Sequence, residues 1–496
     1  MSDLVLAIDQ GTTGSTIALM DARGRLLTSV NHEFPQIFPQ PGWVEHDPDS
    51  IWESVEKGLS AVFADGTYNP ADISAIGITN QRETAVLWDA ETGKAVHNAI
   101  VWQCRRTTDV CEKLKSDGHE ALIKARSGLV LDPYFSATKF KWLLDNGADT
   151  QDLLNQGRLR AGTIDSYLIW RLSAGQAHKT DVSNASRTSL MALDSLSWDD
   201  ELLSIFGVPR TILPEICPSS GRFAVTKDVA GLPDGIPISG VAGDQQSALF
   251  GQACFGIGDA KCTFGTGSFI LMNAGDTPVA SNSGLLSTVA WQLDGERAVY
   301  ALEGGAFVCG AAVQWLRDQL GIIQSAPEVE ALAQTVDDAG GVEFVPALAG
   351  LGAPYWAPEA RGTLTGLTRG SGRGEIARAT LDAMALQNVD ILRAMEKDIG
   401  SRMHSLKVDG GASANNFLMQ LQADYLDRPI TRPEVIETTV AGACFLAGLG
   451  EGVWSSPDEV AKVWRSDRSF DVGITDEART SRFASWQSAV DKTLLN

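Results

Sequence analysis

Positive charge is scarce in this sequence: 40 lysines and arginines stand against 62 aspartates and glutamates, a formal net charge of −22. Such a chain repels nucleic acid and anionic membrane surfaces, so nonspecific binding to either is excluded as a function. Phosphate ligands are not excluded, because a local loop and a metal ion can hold phosphate inside an acidic protein. Histidine is scarce as well, with six residues and no H-E-x-x-H or similar spacing, which argues against a tightly held zinc ion. The seven cysteines are odd in number and form no C-x-x-C pair; the nearest two are Cys104 and Cys111. Free thiols in a reducing cytoplasm are the expectation. No uncharged apolar run reaches the ~20 residues of a membrane span. The opening segment MSDLVLAIDQ lacks the basic stretch and long apolar run of a signal peptide, so a cytoplasmic protein is expected.

What is present is an ordinary globular composition, 44% hydrophobic and 21% charged, in a chain of 496 residues that can bury a sizeable core. The first 30 residues read as a meander. Leu4 to Ile8 is a short apolar strand, Gly11-Thr12-Thr13-Gly14 a turn, Thr16 to Met20 a second strand, Asp21-Ala22-Arg23-Gly24 a hairpin turn and Leu26 to Val30 a third strand. Ile73 to Ile78 is another strand, ending at Thr79-Asn80-Gln81-Arg82-Glu83. The strand, Gly-Thr turn, strand pattern returns at Lys261 to Phe264, Gly265-Thr266-Gly267 and Ser268 to Met272. Two comparable domains are therefore expected, 1–250 and 251–496, joined where Gly251, Gly256 and Gly258 favour turns. Later, Leu381, Ala385, Val389, Leu392, Met395 and Ile399 mark an amphipathic helix face. Leu406-Lys407-Val408 enters Asp409-Gly410-Gly411, a helix follows from about Asn415, and another runs from about Thr438 to Leu449.

Several groups have the chemistry of a phosphoryl-transfer site. In Asp9 to Gly14, a glycine-rich hairpin lets backbone N–H groups approach phosphate oxygens, threonine hydroxyls add donors, and an acid at the strand end can hold Mg²⁺. A plain β-turn is the alternative. Two such loops in different halves suit a nucleotide clamped between domains, and Val408 to Asn415 suits an adenosine moiety or, alternatively, a simple βα turn with a glycine stop. Asp244, after the apolar segment Ile236 to Val241, is a candidate general base or else a cap for the following helix. Arg82 and Glu83 offer a donor and an acceptor side by side, as a polyol requires. Trp102 and Tyr134 are either flat faces for a polyol's carbons or ordinary core residues. Trp43 to Pro48 reads as a loop entering a helix at Asp47, with no chemistry assigned.

Taken together, DQGTT (9–13), PGWVEHDP (41–48), GITNQRET (77–84), NAIVWQCRRT (98–107), DPYFSATK (132–139), TDVSNASRT (180–188), PISGVAGDQQSALFGQ (237–252), FGTGSFILMN (264–273), GLGAPYW (350–356) and VDGGASANNFLMQ (408–420) resemble the FGGY carbohydrate kinases over nearly the whole chain. The resemblance implies an α/β, actin-like ATPase (ribonuclease H-like) fold with a catalytic cleft between two domains. It implies transfer of the γ-phosphoryl group of ATP to glycerol, with ATP and Mg²⁺ required and a homodimer or homotetramer as the assembly. On matching positions it makes Asp244 the base. Arg82, Glu83, Tyr134, Asp244 and Gln245 would bind the triol, with Trp102 and Phe269 lining its carbon side. Thr12, Thr13 and Gly14 would hold phosphate from the first domain; Thr266, Gly310, Gln314, Gly411 and Asn415 would hold nucleotide from the second; Asp9 would position Mg²⁺.

Two departures stand out. The family's first loop continues to an arginine, whereas this chain has Gly14-Ser15-Thr16. Either a neighbour such as Lys261 supplies the cation, or turnover is weaker. Some members carry a Gly-Thr-Arg loop for fructose 1,6-bisphosphate; the matching stretch here is Gly231 to Gly235 with Asp234 in place of the basic residue, which speaks against that regulation. The rival readings are a kinase of another small polyol or sugar (erythritol, xylulose), an actin-like ATPase scaffold, and a degenerate pseudoenzyme.

Overall fold

The structure, a computed structural model, describes residues 4–495. The expected meander forms as β1 (Leu4–Gln10), β2 (Gly14–Asp21) and β3 (Leu26–Glu33), antiparallel neighbours in that order. On its other side β1 pairs in parallel with β4 (Ile73–Asn80). The edge is completed by β5 (Ser220–Val225) and β6 (Pro237–Gly243), giving the order β5-β6-β4-β1-β2-β3. β1 reads as a continuous apolar run because both of its faces are covered. Leu6 and Ile8 join Trp52, Val55 and Leu59 of helix α1 (Pro48–Phe63), while Val5 and Ala7 face the opposite core. Helix α1 starts where expected: Asp47 is its N-cap and accepts from the Asp49 N–H at 3.1 Å.

A second sheet repeats this plan. Its strands are β7 (Ala260–Phe264), β8 (Ser268–Gly275), β9 (Leu286–Trp291), β10 (Val299–Ala306), β11 (Leu406–Asp409), β12 (Ile430–Pro433) and β13 (Ser466–Phe470), in the order β9-β10-β8-β7-β11-β12-β13. Here β7 and β8 are an antiparallel hairpin, β7 pairs in parallel with β11, β11 in parallel with β12, and an antiparallel strand closes the edge. The two Gly-Thr turns therefore occupy equivalent places, between the first and second strands of two like-built sheets.

Helices tie the halves together. α2 (Asp244–Gly251) leaves β6 of the first sheet and packs against β8 and β9 of the second. After α3 (Gly310–Asp318), α4 (Arg373–Ile399) and α5 (Asn416–Leu426), helix α6 (Thr438–Gly450) leaves β12 of the second sheet and lies across β1, β4 and β6 of the first. Each helix thus belongs to one half by sequence and to the other by packing. They cross in direct contact at Gly442, where an added Cβ would lie 1.8 Å from the Ser247 carbonyl oxygen. The strand beneath α6 is equally tight: a Cβ at Gly77 would lie 2.1 Å from the Ala443 carbonyl oxygen. Helix α4 is wrapped more completely than its amphipathic spacing predicts, since Met384, Leu386 and Ile391 outside the expected face are also fully buried.

An alanine in an open helix is worth about 1 kcal/mol over glycine. At Gly442 the sign reverses, because overpacking costs ~1–3 kcal/mol. Urea unfolding of Gly442→Ala is expected to show a loss of about 2 kcal/mol or more. Gly370→Ala, where the nearest non-neighbour atom is 3.7 Å away, should stay within about 0.5 kcal/mol. A Gly442→Ala protein as stable as its parent would mean that the helices do not touch there.

Candidate active site

The ends of β4 and β6 and the start of α2 open onto one cleft, and five charged side chains meet there. Arg82 and Glu83 follow β4, Arg187 follows the short helix Val182–Ala185, Asp244 is the first residue of α2, and Glu303 comes from β10 of the second sheet. Arg82 places Nε 3.1 Å from Asp244 Oδ1 and Nη1 2.5 Å from Glu303 Oε2, and donates from Nη2 to the Tyr134 hydroxyl at 3.3 Å. Arg187 donates to Glu83 Oε1 at 2.7 Å and to Glu303 Oε1 at 3.0 Å. The backbone of Glu83 is held at φ 59°, a left-handed conformation uncommon for a non-glycine residue. The Ser136 hydroxyl donates to its carbonyl at 3.1 Å. The buried Lys139 ammonium in turn donates to the carbonyls of Tyr134 and Phe135, fixing the aromatic wall.

The two glutamates titrate in opposite directions for a geometric reason. Burial would raise Glu303, but Arg187 and Arg82 both contact it directly and bring it down to about 2. For Glu83, burial prevails over Arg82 and Arg187 and its pKa rises; only Arg187 is at hydrogen-bond distance, with Arg82 Nε 3.9 Å away. Asp244 is raised by burial against the pull of Arg82 and Lys261. Its side chain nevertheless remains 33% exposed, whereas Arg82, Glu83, Arg187 and Glu303 are at 3% or less. Asp244 is therefore the most exposed carboxylate of the cluster. The expected helix cap is instead Gly243; Asp244 begins the helix and accepts from the Gln245 N–H at 2.7 Å.

Trp102 meets Tyr134 edge to face at 5.7 Å and donates from Nε1 to the Thr12 hydroxyl at 3.0 Å, so the aromatic wall touches the first Gly-Thr turn. Phe269 lies opposite Gly305 in the β8–β10 register, two residues from the Leu271–Glu303 pair and on the same sheet face as Glu303. Gln245 turns its carbonyl to the Lys261 ammonium, which also donates to Thr263 at 2.9 Å. Thr16, where the family has arginine, pairs with Asp9 across β1 and β2 and accepts from Asn31 at 2.9 Å. Burial lowers the pKa of Lys261, against the opposing pull of Asp409 and Asp244.

The first turn is closed by a Gly11 N–H to Gly14 carbonyl bond of 2.9 Å, with Thr13 exposed at its tip. A buried polar chain supports it from behind. Gln36 bonds the Thr12 carbonyl at 3.0 Å and His46 at 2.7 Å, while Gln81 reaches Gln10 at 2.9 Å and His46 at 3.2 Å. Burial pushes the His46 pKa down to about 4, so the ring is neutral near pH 7. The segment around His46, which carries no chemistry by sequence pattern, is thus a brace for the loop.

Across the cleft lies a cavity of about 430 Å³, and Thr266, Gly310, Gln314, Gly411 and Asn415 all line it. The second turn docks on the start of α3 through a Gly310 N–H to Gly265 carbonyl bond of 2.9 Å. Asn415 caps α5, accepting from Leu418 at 2.8 Å, and Gly411 presents bare backbone with nothing within 4 Å of an added Cβ. A helix start and glycine backbone are suited to phosphate and a flat heterocycle.

Among the described residues no three His, Cys, Asp or Glu side chains converge as a ready-made metal set. Asp9 is raised by burial, partly offset by its hydrogen bond to Thr439, and further raised by the nearby charge of Asp244, to about 7. One or two carboxylates without further protein ligands fit magnesium, which keeps most of its shell for water and phosphate oxygens. Arg187 and Glu303 were missed in the sequence. Each left a weak trace, an arginine within TDVSNASRT and an acid inside the apolar strand VYALEGGA.

The chain matches the FGGY family of carbohydrate kinases, N-terminal domain over residues 4–251 and C-terminal domain over residues 260–451. It is 57% identical to a glycerol kinase of Bdellovibrio bacteriovorus, with 99% of each chain covered, and 55% identical to one of Symbiobacterium thermophilum, with 98% of each covered. A crystal structure of Plasmodium falciparum glycerol kinase with ADP superposes with a TM-score of 0.94 at 35% identity, covering 100% of this chain and 99% of that one. A gluconate kinase from Lactobacillus acidophilus shares the fold, with a TM-score of 0.87 at 22% identity over 99% of this chain and 97% of that chain.

Arg187→Met leaves Glu303 buried with one cation and Glu83 without its hydrogen-bonded one. Breaking a buried pair from one side costs about 3–5 kcal/mol, and the loss should appear in that range at pH 7. Glu303 goes from an ordinary 4.5 to about 2 in the folded protein, so its contribution is present above pH 4.5 and fades as pH falls toward 2. The deficit of the variant, measured by denaturant unfolding, should therefore shrink across that window. A deficit independent of pH would contradict the assignment of Glu303 as the partner.

Proposed function

The chain belongs to the FGGY family of carbohydrate kinases, and on that footing we propose how its residues carry the transfer of the ATP γ-phosphoryl group to glycerol, giving sn-glycerol 3-phosphate and ADP. The observation that carries the reading is Asp244, the most exposed carboxylate of a buried charge cluster, joined through Arg82 to Tyr134 of the aromatic wall. Glycerol lies against Trp102, Tyr134 and Phe269, with its hydroxyls on Arg82, Glu83, Asp244 and Gln245. A triol asks for donors and acceptors together, and the guanidinium and carboxylates supply both. Asp244 takes the proton of the terminal hydroxyl as its oxygen attacks the γ-phosphorus.

ATP occupies the second lobe against Thr266, Gly310, Gln314, Gly411 and Asn415, with its terminal phosphates toward Thr12, Thr13 and Gly14. Asp9, assisted by Asp244, would hold magnesium with the nucleotide, and a bound ion would supply neutralisation of phosphate charge. Lys261, when protonated, contributes a further positive charge toward Asp244 in a chain whose first loop has Thr16 instead of arginine. Positioning and electrostatics do most of the work in such a transfer, and water must be kept out. We divide the chain at 250/251, because every strand of the first sheet precedes that point and every strand of the second follows it. Unpaired cysteines, six of the seven buried, suit a cytoplasmic setting. No helix of the described residues is long and apolar enough to cross a membrane.

Asp244→Asn should keep glycerol binding and lose about 10²–10⁴-fold in kcat, as removal of a general base does. Retention of most of kcat would remove Asp244 from that role. In a steady-state panel of glycerol, erythritol, xylulose and gluconate, glycerol should give the highest kcat/KM; a larger acceptor leading the panel would assign the pocket to it instead.

A further inference from the structure

Helix α6 opens on two adjacent threonines, and each hydroxyl is given to an aspartate of a different sheet. Thr438 donates to Asp409 Oδ2 at 2.7 Å, and Thr439 donates to Asp9 Oδ2 at 2.8 Å. Asp409 ends β11, directly before Gly410 and the Gly411 backbone that walls the nucleotide cavity, and its Oδ2 also accepts from Gln252 at 2.9 Å. Asp9 stands near the end of β1, before the first Gly-Thr turn. The same two residues reach the helix of the base as well, because Ser247 of α2 donates to the Thr439 carbonyl at 2.7 Å. One turn of backbone therefore touches the carboxylate of the first lobe, the loop of the second and the helix that starts at Asp244.

We infer that Thr438 and Thr439 form a two-residue clasp, in which Thr439 is a positioning residue that aims the Asp9 carboxylate into the cleft and Thr438 locks that aim to the nucleotide wall through Asp409. The inference rests on the reading of Asp9 as the carboxylate that holds magnesium. The last torsion of an aspartate is broad, so a carboxylate left to itself samples many orientations. A hydroxyl fixed on Oδ2 selects one of them and leaves Oδ1 for the cleft. Because α6 lies on the first sheet and Thr438 is bonded to the second, neither aspartate can shift relative to the other without breaking one of the two bonds. The arrangement ties the nucleotide wall to Asp9 without any residue that touches glycerol.

The test uses the full-length protein and separates the two threonines. Thr439→Val should lower kcat and weaken Mn²⁺ binding to the ADP complex, read by electron paramagnetic resonance, each by about 10- to 100-fold, the usual cost of losing a residue that orients a metal ligand. The KM for glycerol should remain unchanged. Thr439→Ser, which keeps the hydroxyl, should restore both. Thr438→Val should instead raise the KM for ATP. Thermal midpoints show whether each variant folds, and Thr439→Ala serves in place of the valine variant if that one does not. If Thr439→Val keeps kcat and Mn²⁺ affinity within about twofold while Asp9→Asn loses both, the clasp is wrong and the reading of Asp9 stands. If Asp9→Asn also keeps both, that reading fails and the inference with it. A serine variant as impaired as the valine variant would likewise overturn the role of the hydroxyl.

Discussion

The structure depends on the crossing of α2 and α6, where the Ser247 carbonyl meets the bare Cα of Gly442. Two helices that touch through backbone have almost no freedom to slide, since close-packed contacts are stiff. Each begins at the cleft, so fixing the crossing fixes what their first residues carry: Asp244 on one, Thr438 and Thr439 on the other. The surrounding composition follows from the same demand. Ala7, Ala18, Ala75, Gly77, Gly240 and Ala242 line the sheet face beneath α6, because larger side chains would lift the helix off the strands and pull its start away from Asp9. The bulky residues of the first sheet, Ile8, Ile17 and Ile78 among them, point to the other face, which α1 covers.

A second constraint is electrostatic. Three carboxylates and two guanidiniums, nearly all buried, are stable only as a set, because an unpaired charge in such surroundings costs several kcal/mol. The set draws on both lobes: Arg82, Glu83, Arg187 and Asp244 come from one and Glu303 from the other. Its worth lies less in stability than in shape. Glu303 holds both guanidiniums, the remaining Arg82 nitrogen pairs with Asp244, and the Asp244 carboxylate is the member of the set that stays partly exposed. The acidic surface of the chain has no bearing on this, since the relevant field is set within a few ångströms by named partners.

Much of this was legible in the residues. β1 and β2, the strand ending at Asn80, both Gly-Thr turns, Asp244 at a strand-to-helix junction and the Asp47 helix start were read from local pattern alone. The family resemblance grouped five further residues from three separated segments, and these line one cavity. Arg187 and Glu303 were not found, because their partners lie 104 and 221 residues away and nothing in the neighbouring sequence encodes the pairing. The Gln36–His46–Gln81 brace escaped for the same reason: its members sit in three different stretches and become a chain only when β4 lies beside β1.

The sequence by itself determined the short-range geometry: where the chain turns, which runs are apolar on both faces, and where a small residue permits a close approach. Those follow from φ/ψ limits and side-chain size, which act over a few residues. Tertiary structure alone decided which charges meet and how each titrates. Two glutamates of identical chemistry end on opposite sides of their ordinary pKa because one touches two guanidiniums and the other is bonded to one. It also decided that a helix from the second half of the chain would lie on the first sheet, with its opening threonines between Asp9 and Asp409. Contacts of that kind depend on distance in space, and they exist only once the two sheets have been brought together.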